Sequence, residues 1–304
     1  MIQTIIANSL SLNPNQVDSI IASASFRYYH FQIPKHNGGV RDIYHPAQEL
    51  KLLQRWITKK VLLRLPVSSA ATAYEKHTNI RINAQRHAKS RYLLRLDFSD
   101  FFPSLSSGDI RQLLTVHSER ISDIVNDERD IEAVAKVLCR FGRLTIGAPS
   151  SPCTSNRIME DFDNHWNAIA AERAVTYTRY ADDLFFSSSR PNLLSHFPNE
   201  LTEYLQGRIG PRLQINVQKT VFSSMKARRT VTGLKLTPEH TVSLGRDFKR
   251  SLRTKIYLGI EQKLGPDEMA RLKGLVAYAQ DVEPELIIRL KAKFGDERFK
   301  QIFQ

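Results

Sequence analysis

Asp182 and Asp183 stand side by side in a short polar turn, Tyr180-Ala181-Asp182-Asp183, between residues 175–179 and 184–186, two stretches that both read as strands. The flanks are rich in β-branched and aromatic side chains, so the segment is a hairpin that presents two carboxylates at its tip. Acidic pairs are common in hairpin turns, and a solvated turn is the plain alternative. A second acidic position narrows the choice. Tyr92 to Phe98 reads as a buried strand carrying Asp97 near its end. Three carboxylates converging on one sheet edge form a hard-oxygen donor set for two Mg²⁺ ions.

The rest of the chain gives an α+β order of elements. Residues 13–25 have helical spacing after a Pro-containing start. Residues 31–35 and 40–44, joined by His36-Asn37-Gly38-Gly39, read as a β-hairpin, and 47–65 as an amphipathic helix. Further helices are expected over 108–118, 129–141, 154–171 and 192–206, and short strands over 213–216, 220–223 and 230–236. After Thr237-Pro238 the pattern becomes helices separated by Gly265-Pro266 and Glu283-Pro284, a C-terminal helical lobe.

With 304 residues, 41% of them hydrophobic, the chain has material for two or three lobes. Lys+Arg 44 against Asp+Glu 31 leaves a net charge of +13, which favours polyanionic partners through phosphate contacts. Cys139 and Cys153 lack metal-ligand spacing and read as unpaired thiols of a reducing compartment. The first residues have no basic, apolar leader pattern, and no run approaches bilayer length, so a cytosolic protein with no membrane partner is expected.

Transfer of a nucleotidyl group to a hydroxyl uses one cation at the attacking oxygen and another at the leaving pyrophosphate, about 3.5–4 Å apart. Asp97 and Asp182 are the expected bridging ligands, with Asp183 beside them as added charge. Lys35 and Arg41, near the tip and base of the early hairpin, are placed to reach a triphosphate, although a surface ornament would look the same. Arg41 is the better suited to a forked phosphate contact.

With these carboxylates in place, Asp97 with Phe101-Phe102, Gly147-Ala148-Pro149-Ser150-Ser151-Pro152 and Tyr180-Ala181-Asp182-Asp183 resemble the successive palm motifs of reverse transcriptases, in order and spacing. Asn83-Ala84-Gln85-Arg86-His87 resembles the Asn-Ala-x-x-His signature of bacterial retron reverse transcriptases, and Val231-Thr232-Gly233 their Val-Thr-Gly signature. Asn216 and Lys219-Thr220 match the family's Asn-x-x-Lys-Thr segment. The resemblance runs from about Lys35 to Leu236. It implies a right-hand polymerase, with fingers and an antiparallel-sheet palm over 1–235 and a helical thumb over 236–304.

The resemblance also implies roles. Phe102 would lie under the deoxyribose and exclude a 2′-hydroxyl, its competing reading being core packing. Asp100 and Phe101 would offer backbone N–H groups to the triphosphate of a dNTP, with Ala148 in the nucleotide-facing loop. Lys219 would protonate the leaving pyrophosphate; a surface lysine is the alternative. One departure is Ile146, where reverse transcriptases commonly carry Gln before the Gly of this motif. A polar contact to the incoming nucleotide is therefore missing or supplied elsewhere.

For RNA contact, Asn83 and His87 share one helix face and could grip a nucleotide, or else cap a helix and pack in the core. Arg246, Lys249, Arg250 and Arg253 recur at spacings of three and four, opposite Phe248, Leu252 and Ile256. That face suits a template–primer duplex, although charged faces are usually only solvated. Lys226, Arg228 and Arg229 extend the basic path. The family resemblance implies an RNA-directed DNA polymerase that binds its own structured noncoding RNA (msr-msd) and primes from a guanosine 2′-hydroxyl. The cDNA it makes would form a branched RNA–DNA product (msDNA), in antiphage defence with a separately encoded effector. The rivals are a group II intron or abortive-infection reverse transcriptase, and an RNA-binding scaffold that sequesters an effector.

Overall fold

Ten strands and fourteen α-helices are found in the computed structural model, which describes residues 2–35, 38–208 and 212–303. Met1, His36, Asn37 and three residues after Arg208 lie outside these, as does Gln304, so the tip of the expected early hairpin falls outside the described residues. The chain opens with α1 (Ile2–Leu10), which the sequence reading missed, and α2 (Pro14–Ala22), started by an Asn13 capping box with Gln16 and by Pro14 at its first turn. The hairpin β1 (Tyr28–Pro34) and β2 (Val40–Pro46) stands alone as a two-stranded sheet, and α3 (Gln48–Lys60) follows. Next come α4 (Ile80–His87), β3 (Tyr92–Ser99), the short α5 (Phe101–Ser104), α6 (Ser107–Val116) and α7 (Glu128–Leu138).

The single helix expected over 154–171 is two helices, α8 (Ser151–Ile158) and α9 (Glu160–Glu172), because Met159 (φ −85°, ψ 6°) leaves helical geometry between them. The hairpin that bears the acidic turn is β4 (Thr176–Tyr180) and β5 (Asp183–Ser188). Then α10 (Phe197–Arg208) begins later than expected, with Pro198 in its first turn, where a missing N–H costs nothing. Strands β6 (Gln214–Ile215) and β7 (Val221–Ser224) complete the central sheet. Residues 230–236 form not one strand but a hairpin, β8 (Thr230–Val231) and β9 (Leu234–Leu236), turning at Thr232 (φ 47°) and Gly233 (φ 84°). Two consecutive positive-φ residues are what a two-residue hairpin turn needs, so Val231-Thr232-Gly233 is a turn motif. After β10 (Val242–Ser243) come α11 (Arg246–Ile260), α12 (Pro266–Val282), α13 (Pro284–Phe294) and α14 (Asp296–Lys300).

The central antiparallel sheet runs β4-β5-β3-β6, with β7 also pairing with β3. Strand β3 meets β7 at Tyr92–Arg95 and β6 at Phe98–Ser99, in tandem along one edge. One apolar core holds α1–α3, α6–α10 and one face of this sheet. A second holds α11–α14 together with Ala84, Ala88, Leu93 and Phe185 from α4 and the other face. The helical lobe therefore shares its core with the sheet. Cys139 and Cys153 are free and buried. No helix among the described residues is long and apolar enough to cross a membrane.

Candidate active site

Strand pairing brings the acidic residues together. In the β3–β5 ladder Asp97 lies directly opposite Asp183. The Phe98 N–H donates to the Asp182 carbonyl at 3.0 Å, and the Asn216 N–H to the Asp97 carbonyl at 2.7 Å. The turn, β3 and the segment leading to Lys219 are thus fastened to one another through backbone. Ala181, at the head of the turn, is left-handed with φ 57°, a conformation that costs a non-glycine residue about 1–2 kcal/mol.

The side chains carry a concentrated negative field. Asp97 is only 4% exposed. Burial, then repulsion from Asp97, raises the Asp182 carboxyl above its ordinary range, while Lys219 and Arg41 oppose the rise. Burial pushes Asp183 up to about 6, opposed by Arg95 and reinforced by the other two aspartates. Two cations of the chain answer this charge. Lys219 Nζ donates to Asp97 Oδ1 at 2.9 Å from the 3₁₀ turn Val217–Lys219, and Arg95 donates to Asp183 Oδ1 at 2.8 Å. Among the described residues no three His, Cys, Asp or Glu side chains gather closely enough to hold one ion. Asp97 and Asp183 are turned to Lys219 and Arg95. The donor set nonetheless suits a hard divalent cation: Asp182 and Asp183, whose charge burial disfavours, lie beside Asp97 and a half-exposed ammonium.

The short helix α5 follows directly on the strand that carries Asp97. Asp100 (φ 43°) caps it, and its carbonyl accepts from the Ser104 N–H and hydroxyl, both at 2.9 Å. Phe101 is buried and stacks on Phe98 at 5.4 Å, while Phe102 is half-buried, its ring 5.4 Å from that of Phe101. The Tyr44 N–H donates to the Ile146 carbonyl at 2.8 Å, tying the early hairpin to the loop before α8. Gly147 (φ +111°) lies so close that a Cβ would meet the Tyr44 carbonyl at 2.8 Å, so glycine is required both by φ and by space. Ala148 is buried behind it. Arg41 and Lys35 are exposed; Arg41 acts on Asp182, whereas the charge that Lys35 acts on is Asp42.

Residues 33–260 match the family described as reverse transcriptase (RNA-dependent DNA polymerase). Over 295 residues the chain is 34% identical to retron Ec83 reverse transcriptase of Escherichia coli, covering 94% of this chain and 93% of that one. It is 32% identical over 280 residues to retron Ec73 reverse transcriptase of Escherichia coli, covering 88% and 87%. This chain belongs to the retron reverse transcriptases. It is an RNA-directed DNA polymerase, and polymerases of this kind use divalent metal ions. The fold is similar to that of apo telomerase from Candida tropicalis, with a TM-score of 0.52 at 11% identity over 90% of this chain; it spans 60% of the telomerase chain.

Several expected RNA-contacting residues of this reverse transcriptase are placed elsewhere. Asn83 and His87 are 0% exposed. His87 Nδ1 and Nε2 bond the hydroxyls of Ser187 and Thr178, each at 2.7 Å, and Thr178 donates to Asn83 Oδ1 at 2.6 Å. The pair rivets α4 to the back of β4 and β5, and the cap of α4 is Asn79 rather than Asn83. Arg229 is likewise buried, its guanidinium bonding the carbonyls of Ser90 and Thr237, so it fastens the β8–β9 hairpin. On α11, Arg246, Arg250 and Arg253 are not buried, but Lys249 is drawn to Glu283 at 2.7 Å. Lys226 and Arg228 are exposed.

The sequence reading missed Arg95. Its signal was simple alternation, since two residues before Asp97 on a strand is the same face. It also missed Arg179, whose charge in a short apolar strand was the available sign.

Proposed function

We propose that Asp97 and Asp182 bridge two Mg²⁺ ions at the end of β3 and the β4–β5 turn, with Asp183 supplying charge and Arg95 holding its carboxylate. Bound there, the metals would supply activation of the attacking hydroxyl and neutralisation of the departing pyrophosphate. The observation that carries this reading is the register placing Asp97 opposite Asp183, with Asp182 bonded through its carbonyl to the next residue of β3. Lys219, 56% exposed and already on Asp97, is free enough to exchange that carboxylate for a phosphate oxygen and donate a proton to it. Arg41, with Lys35 at the hairpin tip, attracts the triphosphate. The backbone N–H groups of Asp100 and Phe101, with Ala148 opposite, line its path. Phe102 blocks a 2′-hydroxyl, which makes dNTPs the substrates. Ile146 contributes its backbone to the hairpin tether, so its side chain need not be polar.

Residues 1–235 serve as fingers and palm and 236–304 as thumb. The thumb face of Arg246, Arg250 and Arg253, with Lys226 and Arg228, follows an RNA-containing duplex through phosphate contacts. The cognate RNA would be a structured noncoding msr-msd transcript, primed from one of its own 2′-hydroxyls and left joined to its cDNA. A cytoplasmic location and a role in antiphage defence with a separate effector complete the reading. Sequencing the nucleic acid that copurifies with the protein tests it. A branched RNA–DNA species is expected; RNA without attached DNA would favour a scaffold instead.

A further inference from the structure

We propose that the buried Arg179–Asp163 pair is a positioning device for the catalytic turn, holding the peptide unit that orients Asp182. Both side chains are 0% exposed. Arg179, on β4, donates from Nε to Asp163 Oδ1 and Oδ2 at 2.9 and 3.0 Å and from Nη2 to Oδ2 at 2.6 Å. Asp163, on α9, also accepts from the Tyr177 hydroxyl at 2.8 Å. With the fork so fixed, the remaining nitrogen Nη1 donates to the carbonyl of Ala181 at 3.0 Å.

That carbonyl belongs to the same planar peptide unit as the Asp182 N–H. Fixing one end of the unit therefore fixes the Asp182 Cα at the other, and with it the point from which the carboxylate projects. The turn needs such a hold, since Ala181 sits at φ 57°, and strained backbone persists only where its surroundings determine it. Backbone bonds keep the strand itself from shifting: the Arg179 N–H donates to the Ala70 carbonyl and the Thr72 N–H to the Arg179 carbonyl, both at 2.8 Å. The guanidinium also lies 5.8 Å from the ring centre of Phe101 and so reaches the nucleotide-side helix as well. An ion pair kept only for stability could be exchanged for apolar residues of similar volume without loss. An ion pair that positions the turn could not.

Two variants separate these roles: Arg179→Lys, which keeps the charge pair but lacks the fork, and Arg179→Met with Asp163→Leu, which leaves no buried charge. Activity is expressed per RNA-bound molecule, so unfolded protein is not counted. In both variants kcat for cDNA synthesis is expected to fall about 10–100-fold. KM for dNTP and Kd for RNA are expected to stay within about threefold, and Mn²⁺ titration followed by EPR is expected to show weakened binding. A folded variant of either kind with kcat within about twofold of wild type and unchanged Mn²⁺ affinity overturns the proposal. The inference rests on Asp182 being the metal-site carboxylate, so Asp182→Asn is assayed alongside. Retained synthesis in that variant would mean that the site assignment has failed, and loss there with retention in the Arg179 variants would mean that only the positioning role has.

Discussion

Asp97, Asp182 and Asp183 were legible as single letters because a carboxylate at the end of an apolar strand has few structural uses. What each one faces was not. Alternation puts Arg95 on the face of Asp97, but which acid it meets depends on the β3–β5 register, and the partner of Lys219 depends on the turn after β6. Asn83 and His87 were left between two readings for a related reason: helical spacing puts them on one face but does not say whether that face meets solvent or sheet. The buried setting of His87 has a measurable consequence. Burial lowers its pKa from 6.5 to about 3, so the unfolded chain takes a proton near pH 6.5 that the folded chain refuses until about pH 3. Its contribution is fully present above 6.5 and is lost as pH falls, at up to about 1.4 kcal/mol per pH unit. Asp183, raised from 3.8 to about 6, acts in the opposite sense, weakening the fold as pH rises through that interval. The difference between wild type and His87→Gln isolates the histidine, and denaturant titrations should show the wild type losing about 2 kcal/mol relative to the variant between pH 7 and pH 5. A pH-independent difference would contradict the burial of a neutral ring. For Phe102, half-buried against Phe101, truncation to Ala should raise ribonucleotide incorporation by roughly tenfold or more in single-nucleotide assays. Unaltered sugar selectivity would leave Phe102 as core packing.

Elements were read best where a cap or a period marked them. The early hairpin, β3 and the C-terminal helices were found within a few residues. Errors came where one pattern hid two elements. Met159 continues the apolar periodicity of 154–171 while its backbone breaks the helix, and Thr232-Gly233 turns a stretch that alternates like a single strand. On α11 the pattern gave four cations, and tertiary packing removed one: Lys249 serves Glu283, which also accepts from the Leu244 N–H at 3.1 Å and so holds the start of the helix. Replacing Arg246, Arg250 and Arg253 by Ala should therefore weaken RNA binding and reduce the slope of log K against log salt by roughly 0.7–0.9 for each phosphate no longer neutralised. Lys249→Ala should leave that slope unchanged and lower the melting temperature. Equal slopes in the triple variant and the wild type would return α11 to a solvated face.

At the scale of the molecule, α+β order and a helical C-terminal lobe followed from the sequence, but the way the lobes join did not. The second core draws Leu93 and Phe185 from the central sheet and Ala84 and Ala88 from α4 into the same cluster as Leu252, Ile256 and Leu272. The sheet that carries the aspartates thus has one face in each core. Buried charge pairs at Arg179–Asp163 and Arg157–Glu75 anchor that sheet and α8. Such an arrangement ties down the backbone that bears the carboxylates and leaves Lys219 and Arg41 exposed. The most direct test is cDNA synthesis by Asp182→Asn, measured with RNA binding on the same preparation. Loss of synthesis by about 10³-fold or more with RNA affinity within about threefold of wild type is predicted, whereas synthesis at the wild-type rate by a variant that still binds RNA would contradict the metal-site assignment.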